Sequence, residues 1–158
     1  MLHRNAQRVV DFAASSFGVV LDVHEFPDGT RTAEDAARAI GVEVGQIVKS
    51  LVFLVDGEPV VALVSGANLL DEHKLAAAAG GGRSARAGAD AVREATGFPV
   101  GGVPPFGHRN VLRVFVDEDL LGYDELWAAA GTPHVNFSIE PAELVRVTGG
   151  SVADLALR

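Results

Sequence analysis

A single lysine interrupts an otherwise apolar segment early in the chain. Lys49 lies in residues 47–54, where every other residue except Ser50 is apolar and the composition is typical of a β-strand. If the ammonium group points into a pocket, it can orient a phosphate, carbonyl or ribose oxygen. If the lysine lies at a strand entrance instead, its aliphatic stem packs and the ammonium stays in solvent. The segment alone leaves both interpretations open.

The second candidate feature is a glycine- and proline-rich loop at residues 101–107. Its paired glycines, Gly101 and Gly102, allow the backbone to approach a ligand closely, and its prolines restrict the loop to few shapes. A rigid loop that presents free N–H groups can stabilise a developing oxyanion without reorganising. The alternative is an ordinary surface turn.

Several other reactive patterns are missing from the sequence. The chain contains no cysteine, which excludes disulfides, thiolate nucleophiles and thiolate-bound zinc. The five histidines show no paired metal spacing, and the triple glycine at residues 80–82 lacks the lysine and hydroxyl residue of a phosphate-binding loop. Ser65 precedes Gly66, but no glycine lies two residues before this serine, so it does not form a nucleophile elbow. We therefore predict no metal, no cofactor and no protein nucleophile.

Length and charge narrow the class of protein. With 158 residues, the chain suits a single domain with a substantial core. The net charge of −8 argues against DNA binding and against non-specific RNA binding, because phosphate contacts require Lys and Arg. Any RNA contact would be local, brief or assisted by a partner. The candidate phosphate contacts are Lys74, Arg83, Arg86, Arg109 and Arg113.

No secretory signal and no apolar run of ~18 residues is visible in the sequence, so we expect a cytoplasmic protein that does not enter membranes. Periodicity and capping residues predict helices at residues 5–17, 33–40, 71–79 and 90–96, and another that begins at Pro141. Strands are predicted at residues 19–26, 47–55, 60–65, 111–116 and 135–139, with a hairpin turn at Asp56-Gly57 and a loose loop at 76–82. Residues 126–130 fit either a helix or a strand. Strand pairs mixed with short helices, without regular βαβ alternation, indicate one α+β domain with a mixed sheet.

Several segments, in a fixed order, carry a family resemblance. They are residues 32–37 (Thr-Ala-Glu-Asp-Ala-Ala) with Ile40-Gly41-Val42, residues 46–53 around Lys49, residues 96–107 with the glycine-proline loop, Asp117, Ala130-Gly131, and residues 140–144. In this order the chain resembles the YbaK/EbsC family of aminoacyl-tRNA deacylases, which includes the editing domain inserted in some bacterial prolyl-tRNA synthetases. The resemblance covers nearly the whole chain, which we interpret as one editing domain over residues 1–158.

The resemblance implies a fold and an activity. The fold is a curled, barrel-like mixed sheet surrounded by helices. The activity is hydrolysis, in trans, of the ester that joins an amino acid to the 3′-terminal adenosine of a mischarged tRNA. The implied partners are that tRNA and an aminoacyl-tRNA synthetase, with no DNA, membrane or cofactor.

The resemblance also implies a set of site residues. The catalytic residues would be Lys49, Gly101 and Gly102, the lysine as a cation and the loop amides as oxyanion donors, with a bound water or a group of the substrate as nucleophile. The substrate-binding residues would be Phe26, Thr30, Ser50, Ser65, Gly66, Pro105, Phe106, Gly107, Ala129, Gly131, His134 and Asn136. By local pattern alone, His134 and Asn136 could equally face water.

The chain departs from the cysteine-specific members of that family at three positions. Ala129 stands where they carry serine, Asn136 where they carry aspartate and Phe26 where they carry tyrosine. Each change removes a hydroxyl or a charge, which weakens selection for a substrate that uses it. These departures argue against specificity for cysteine. The expected substrate carries a small amino acid such as cysteine, alanine, serine or threonine, or a small non-protein amino acid. The alternative function is an inactive family member that binds a nucleotide, a tRNA 3′ end or a synthetase.

Overall fold

The computed structural model describes residues 2–158 and contains five α-helices and eight β-strands within that range. The helices are α1 (Arg4–Phe17), α2 (Ala33–Ile40), α3 (Glu72–Ala78), α4 (Ala89–Thr96) and α5 (Pro141–Thr148). The strands are β1 (Val23–Glu25), β2 (Ile47–Val55), β3 (Glu58–Ser65), β4 (Ser84–Arg86), β5 (Arg113–Asp117), β6 (Leu126–Ala129), β7 (Val135–Ile139) and β8 (Ser151–Ala153). Short 3₁₀ turns cover Val44–Gln46 and Glu118–Gly122.

The strands form one mixed sheet in the order β1-β7-β6-β2-β3-β5-β8, with β4 paired to β2. The pairs β2·β6, β3·β5 and β5·β8 are parallel, and the remaining pairs are antiparallel. The strand path is open, because β1 and β8 lie at its two ends. The predicted α+β class with a mixed sheet and surrounding helices is confirmed, with an open sheet and not a closed barrel.

Both faces of the sheet are buried, which explains the continuous apolar run in β3. Val61 and Leu63 enter the main core, which also contains side chains of α1, α4 and α5. Val60 and Val64 point to the other face and pack in a smaller cluster with Leu75 of α3. The central hairpin is therefore held from two sides, which makes β2 a rigid base for side chains at its edge.

One edge of β2 is only partly covered. On that edge β6 pairs with residues 47–48 and β4 pairs with residues 53–55, so residues 49–52 lack a strand partner there. The carbonyl of Val52 accepts a hydrogen bond from the segment that follows β4. Main-chain groups alternate between the two edges of a strand, so those of Ser50 point into the same opening.

Local signals predicted several element bounds correctly. The Thr32 hydroxyl accepts a hydrogen bond from the Asp35 N–H at 3.0 Å, and Gly41 ends α2 in the left-handed region, as predicted for residues 33–40. Asp56 and Gly57 both adopt positive φ, which is the requirement of the tight hairpin turn predicted there.

The strand predicted at residues 19–26 is largely wrong, since only Val23–Glu25 pairs with a neighbour. The Val19 N–H instead donates to the Ala13 carbonyl and closes the C-terminus of α1. Strands β4 and β8 were not predicted, and β4 lies just after the loop predicted as loose. Residues 126–130, left open between helix and strand, contain β6.

Candidate active site

The opening beside β2 leads into a cavity of about 350 Å³. Its walls come from the loop before α2, from α2, from residues 47–52 of β2, from the segment after β4, from α4 and from the turn at residues 100–103. The lining residues that carry the following argument are Thr30, Arg31, Glu34, Lys49, Ser50, Arg86, Gly101, Ala129 and Asn136. A volume of this size is typical of a site for a small ligand group.

Lys49 is half-buried in this cavity and is held by the loop after β3. Its Nζ donates to the main-chain carbonyl of Asn68. The Asn68 amide in turn donates to Asp117 Oδ2 at 2.9 Å and to Asp119 Oδ2 at 2.8 Å, and Asp117 is completely buried. The position of the ammonium group is therefore tied to a buried carboxylate through one intervening residue.

The surroundings of Lys49 favour its neutral form more than water does. Burial lowers the pKa of Lys49 below the ordinary lysine value, and the nearby Arg86 guanidinium lowers it further. The carboxylates of Glu34 and Asp117 act in the opposite direction and raise this pKa, without cancelling the effect of burial. The Lys49 ammonium therefore loses its proton more easily than that of a lysine in water.

Gly101 is part of a tight turn at the wall of the same cavity. The Gly102 N–H donates to the Pro99 carbonyl at 3.0 Å and Gly101 has φ of +89°, which is the geometry of a type II turn with glycine at its third position. Among residues 2–158 the Gly101 N–H has no hydrogen-bond acceptor. The turn thus leaves one amide donor free, while that of Gly102 is already used.

Two further polar groups line the cavity from opposite walls. Ser50 Oγ is buried and has no hydrogen-bond partner among the described residues, which is costly unless a ligand or water binds it. Asn136 and Thr30 are also buried, and the Asn136 amide donates to Thr30 Oγ1 while that hydroxyl donates to the Pro133 carbonyl at 2.8 Å. The Ser50 hydroxyl is available to a ligand, and so is Asn136 Oδ1, which accepts no hydrogen bond among the described residues.

Seven of the residues predicted for the site from the sequence line this cavity. They are Thr30, Lys49, Ser50, Gly66, Gly101, Ala129 and Asn136. The lysine of β2 and the glycine-proline loop, about fifty residues apart in the sequence, therefore share one cavity. Gly102 does not line it: its backbone packs against Gly131 and Thr132, which a Cβ on Gly102 would meet at about 3.0 Å.

Three other predicted residues line a different cavity. Phe26, Gly131 and His134 surround a more open hollow of about 490 Å³ that also contacts Pro99. Phe26 is directed there because its N–H donates to the His134 carbonyl at 2.7 Å, as the chain continues past β1 beside β7. The substrate-binding role predicted for these three residues therefore concerns a cavity other than the one that Lys49 lines.

The remaining predicted residues have structural contacts. Ser65 Oγ donates to the Gly45 carbonyl at 2.7 Å, and its N–H donates to buried Asp117 at 3.1 Å. Phe106 is a core residue whose ring stacks on Phe12 of α1 at 6.1 Å. Pro105 is buried beside it, and Gly107 packs on the same ring of Phe12, so the second half of the loop anchors the turn to α1.

Three charged residues of the cavity were missed by the sequence-based set. Arg31 and Glu34 flank the Thr32 cap of α2, and Arg86, noted only as a candidate phosphate contact, ends β4. The other four candidate phosphate contacts do not line this cavity. A capping motif placed beside a binding loop could have identified Glu34, but nothing local in the sequence distinguishes Arg31 from a solvated arginine.

Two features were sought in the described part of the chain and not found. Among residues 2–158, no group of three or more His, Asp or Glu side chains is arranged to hold a metal ion. No helix in the same range combines the length and apolar character needed to cross a membrane.

Comparison with known proteins identifies the family to which this chain is similar. The family described as aminoacyl-tRNA editing domain matches residues 27–147, which is more than half of the chain. A proline–tRNA ligase of Maridesulfovibrio salexigens is 40% identical over 109 residues, and the match covers 68% of this chain but only 19% of the ligase. The protein EbsC of Enterococcus faecalis, named as a candidate Cys-tRNA(Pro)/Cys-tRNA(Cys) deacylase, is 28% identical over 128 residues, covering 80% of this chain and 78% of EbsC.

A solved structure is similar to this chain over all of both chains. A crystal structure described as a candidate trans-editing enzyme for prolyl-tRNA synthetase superimposes with a TM-score of 0.94 and 48% identity, covering 100% of both chains. These findings confirm the resemblance stated from the sequence and support the enzyme class that it implied, an aminoacyl-tRNA deacylase. The chain belongs to the aminoacyl-tRNA editing domain family.

Proposed function

We propose that this chain hydrolyses the ester of a mischarged aminoacyl-tRNA in trans, with the 3′-terminal aminoacyl-adenosine bound in the cavity beside β2. The observation that carries this proposal is that Lys49 and Gly101 line one cavity, and that the Gly101 N–H has no hydrogen-bond acceptor among residues 2–158. A cation and a fixed amide donor on the walls of one cavity are the groups needed to stabilise charge on an ester oxygen.

The proposed reaction needs no nucleophile from the protein. A water molecule attacks the ester carbonyl carbon, and the carbonyl oxygen gains negative charge as the tetrahedral intermediate forms. The Gly101 N–H donates to that oxygen, and the Lys49 cation holds the terminal ribose and stabilises the developing negative charge. The bond from the carbonyl carbon to the ribose oxygen then breaks, the ribose oxygen takes up, through solvent, the proton that the attacking water releases, and the free amino acid leaves.

We propose a small, uncharged amino acid as the group removed. Part of the cavity wall is apolar, with Val52, Val92 and Val103 of the core and Ala129 lining it. Asn136 adds no charge, and one of its two amide N–H donors is already used by Thr30. Alanine, serine, threonine and cysteine fit this lining, and the unbonded Ser50 hydroxyl offers one hydrogen bond to a polar substrate group.

The tRNA of proline is the proposed acceptor. Its support is the similarity to proline–tRNA ligases and to the trans-editing structure, and a synthetase would be the matching protein partner. The match covers only about a fifth of such a ligase.

The test is a panel of proline tRNAs charged with alanine, serine, threonine, cysteine or proline, with release of amino acid followed under multiple-turnover conditions. We expect hydrolysis of at least one small mischarged ester and little of the proline ester. The variant Lys49→Ala should lower kcat by about 10²- to 10³-fold on the best substrate, the magnitude typical of a lost charge-stabilising group.

The matched control is Lys74→Ala, which removes the only other lysine of the chain, paired with Asp154 away from the cavity. Circular dichroism should show both variants folded. Full activity of Lys49→Ala against every ester that the wild type hydrolyses would refute the role of the lysine. Tight binding of the charged tRNA without any turnover by the wild type would favour the inactive, binding-only alternative.

A further inference from the structure

Two arginines stand at the cavity without a carboxylate partner. Arg31 and Arg86 are both exposed, and among residues 2–158 neither makes an ion pair. Most arginines of the described chain make no ion pair, so the distinguishing feature of these two is that both line the cavity that Lys49 also lines. Two guanidinium groups at one cavity can bind an anionic ligand.

The two arginines lie beside the two groups assigned to the ester chemistry. The Arg31 side chain covers the Gly101 turn, with its Cγ 3.3 Å from the place that a Cβ on Gly101 would occupy. Arg86 is close enough to Lys49 to lower the pKa of that lysine, and it lies opposite Phe53 in the pairing of β4 with β2. Each guanidinium group therefore lies near one of the two groups assigned to the ester chemistry.

The charge balance of the cavity is opposite to that of the chain. Its charged lining residues are Arg31, Lys49 and Arg86 against the single carboxylate of Glu34, a local excess of two positive charges on a protein of net charge −8. A concave site with one dominant sign of charge concentrates ligands of the other sign, even where the whole molecule repels them. The local excess removes the objection that an acidic chain cannot contact RNA.

We propose that Arg31 and Arg86 form a phosphate-binding subsite that holds the phosphodiester next to the terminal adenosine of the tRNA. This inference rests on the proposed function, because the direction in which the RNA leaves the cavity depends on the ester lying near Lys49. Guanidinium groups bind phosphate oxygens through paired N–H donors, which suits a backbone contact without base selection.

The test compares substrates with and without phosphate. One is an aminoacylated RNA hairpin with a single-stranded 3′ end, and the other is the aminoacyl-adenosine ester, which has no phosphate. For Arg31→Gln and Arg86→Gln we expect kcat/KM on the hairpin to fall about 10-fold each, the effect of one lost charged hydrogen bond. The loss on the hairpin should exceed the loss on the adenosine ester by about the same factor, mainly through KM.

Salt dependence gives a second measurement. Each lost phosphate contact should make the slope of log(kcat/KM) against log[salt] shallower by about 0.7 on the single-stranded end. The control is Arg83→Gln, because Arg83 lies next to β4 and borders a neighbouring cavity together with Arg86, but does not line the cavity beside β2. We expect this control to behave as wild type on both substrates.

Three results would overturn the subsite. Equal losses on both substrates would show that the arginines act on the ester or on the fold, and unchanged hairpin kinetics would show that they contact no phosphate. If the wild type hydrolyses neither substrate, the proposed function fails, and the subsite is then tested by the affinity of the protein for the hairpin without an amino acid. If this affinity is the same in the wild type and in both variants, the subsite is overturned.

Discussion

Two cavities lie on either side of the Pro99–Gly102 turn, and they differ in what their walls offer a ligand. The cavity beside β2 contains the Lys49 ammonium, the unbonded Gly101 N–H and the unpartnered Ser50 hydroxyl. The larger cavity beside α1 contains Phe26, Pro133 and Val135 among mainly apolar walls, and no lysine or arginine. The smaller cavity offers charge stabilisation, whereas the larger one offers little beyond apolar surface.

The cause of this difference is the pairing of the sheet. The smaller cavity exists because β4 and β6 leave residues 49–52 of β2 uncovered between them, which exposes main-chain and side-chain polar groups on a rigid strand. The larger cavity is bordered by loops whose polar main-chain groups are already satisfied, as in the bond from the Phe26 N–H to the His134 carbonyl. Unsatisfied polar groups on a rigid element are what an enzyme can use without reorganisation.

The variant Gly101→Ala tests the turn between the two cavities and should have the largest effect of the three changes considered next. A Cβ at φ of +89° is strained by about 1–3 kcal/mol and would meet Arg31 Cγ at 3.3 Å, so the turn should shift and misplace its free amide. We expect kcat to fall about 10²-fold, as for the loss of one oxyanion donor. The measurement is deacylation of the best ester from the panel, with urea unfolding in parallel.

The control for that variant is Gly80→Ala, since Gly80 also has positive φ, at +73°, but faces open space beyond α3. Both variants should lose stability, and only Gly101→Ala should lose most of its activity. Equal activity in the two variants would mean that the turn contributes stability and not charge stabilisation.

The lowered pKa of Lys49 gives the second prediction, which concerns the dependence of the rate on pH. Because burial lowers the pKa of Lys49, the cation is lost at a lower pH than for an ordinary lysine. The rate should therefore be full below this pKa and fall about 10-fold per pH unit above it, with kcat/KM reporting the free enzyme. The enzyme-free rate of ester hydrolysis must be subtracted at each pH.

The variant Lys49→Arg identifies the group responsible for that decline. A guanidinium stays protonated throughout this range, so the variant should be slower than wild type but should lack the alkaline decline. A decline that persists unchanged in Lys49→Arg would assign it to a different group.

The elements that were predicted well have strong local signals. The Thr32 cap and the Gly41 stop define α2, and Asp56-Gly57 defines the central hairpin, because caps and tight turns depend on residues a few positions apart. Strands β4 and β8 have three residues each and exist only because β2 and β5 pair with them. Tertiary pairing of this kind leaves no periodic pattern in the sequence.

The same distinction holds for the candidate site. Lys49 and Gly101 were selected as candidates because a lysine in an apolar strand and paired glycines beside prolines are uncommon local sequence patterns. Arg31 was missed because its place at the cavity depends on its contact with the Gly101 turn, which is distant in the sequence. Phe106 was assigned to the site because it lies in a recognisable loop motif, whereas a ring packed on Phe12 is a core residue. Sequence motifs thus identified the segments of the site but not the direction of each side chain.

The third prediction has the smallest expected effect and tests the larger cavity directly. If the ester binds only beside β2, His134→Ala should change kcat/KM by no more than about twofold, the range expected for an exposed residue away from the chemistry. The matched variant is Asn136→Ala, two residues further along the same segment, which removes the buried partner of Thr30 on the wall of the smaller cavity. That variant should cost about 10-fold or more, because it leaves the Thr30 hydroxyl without its donor and enlarges the proposed amino acid pocket. The reverse ranking, with His134→Ala the more damaging variant, would place the substrate in the larger cavity and would support the substrate-binding role predicted for Phe26, Gly131 and His134.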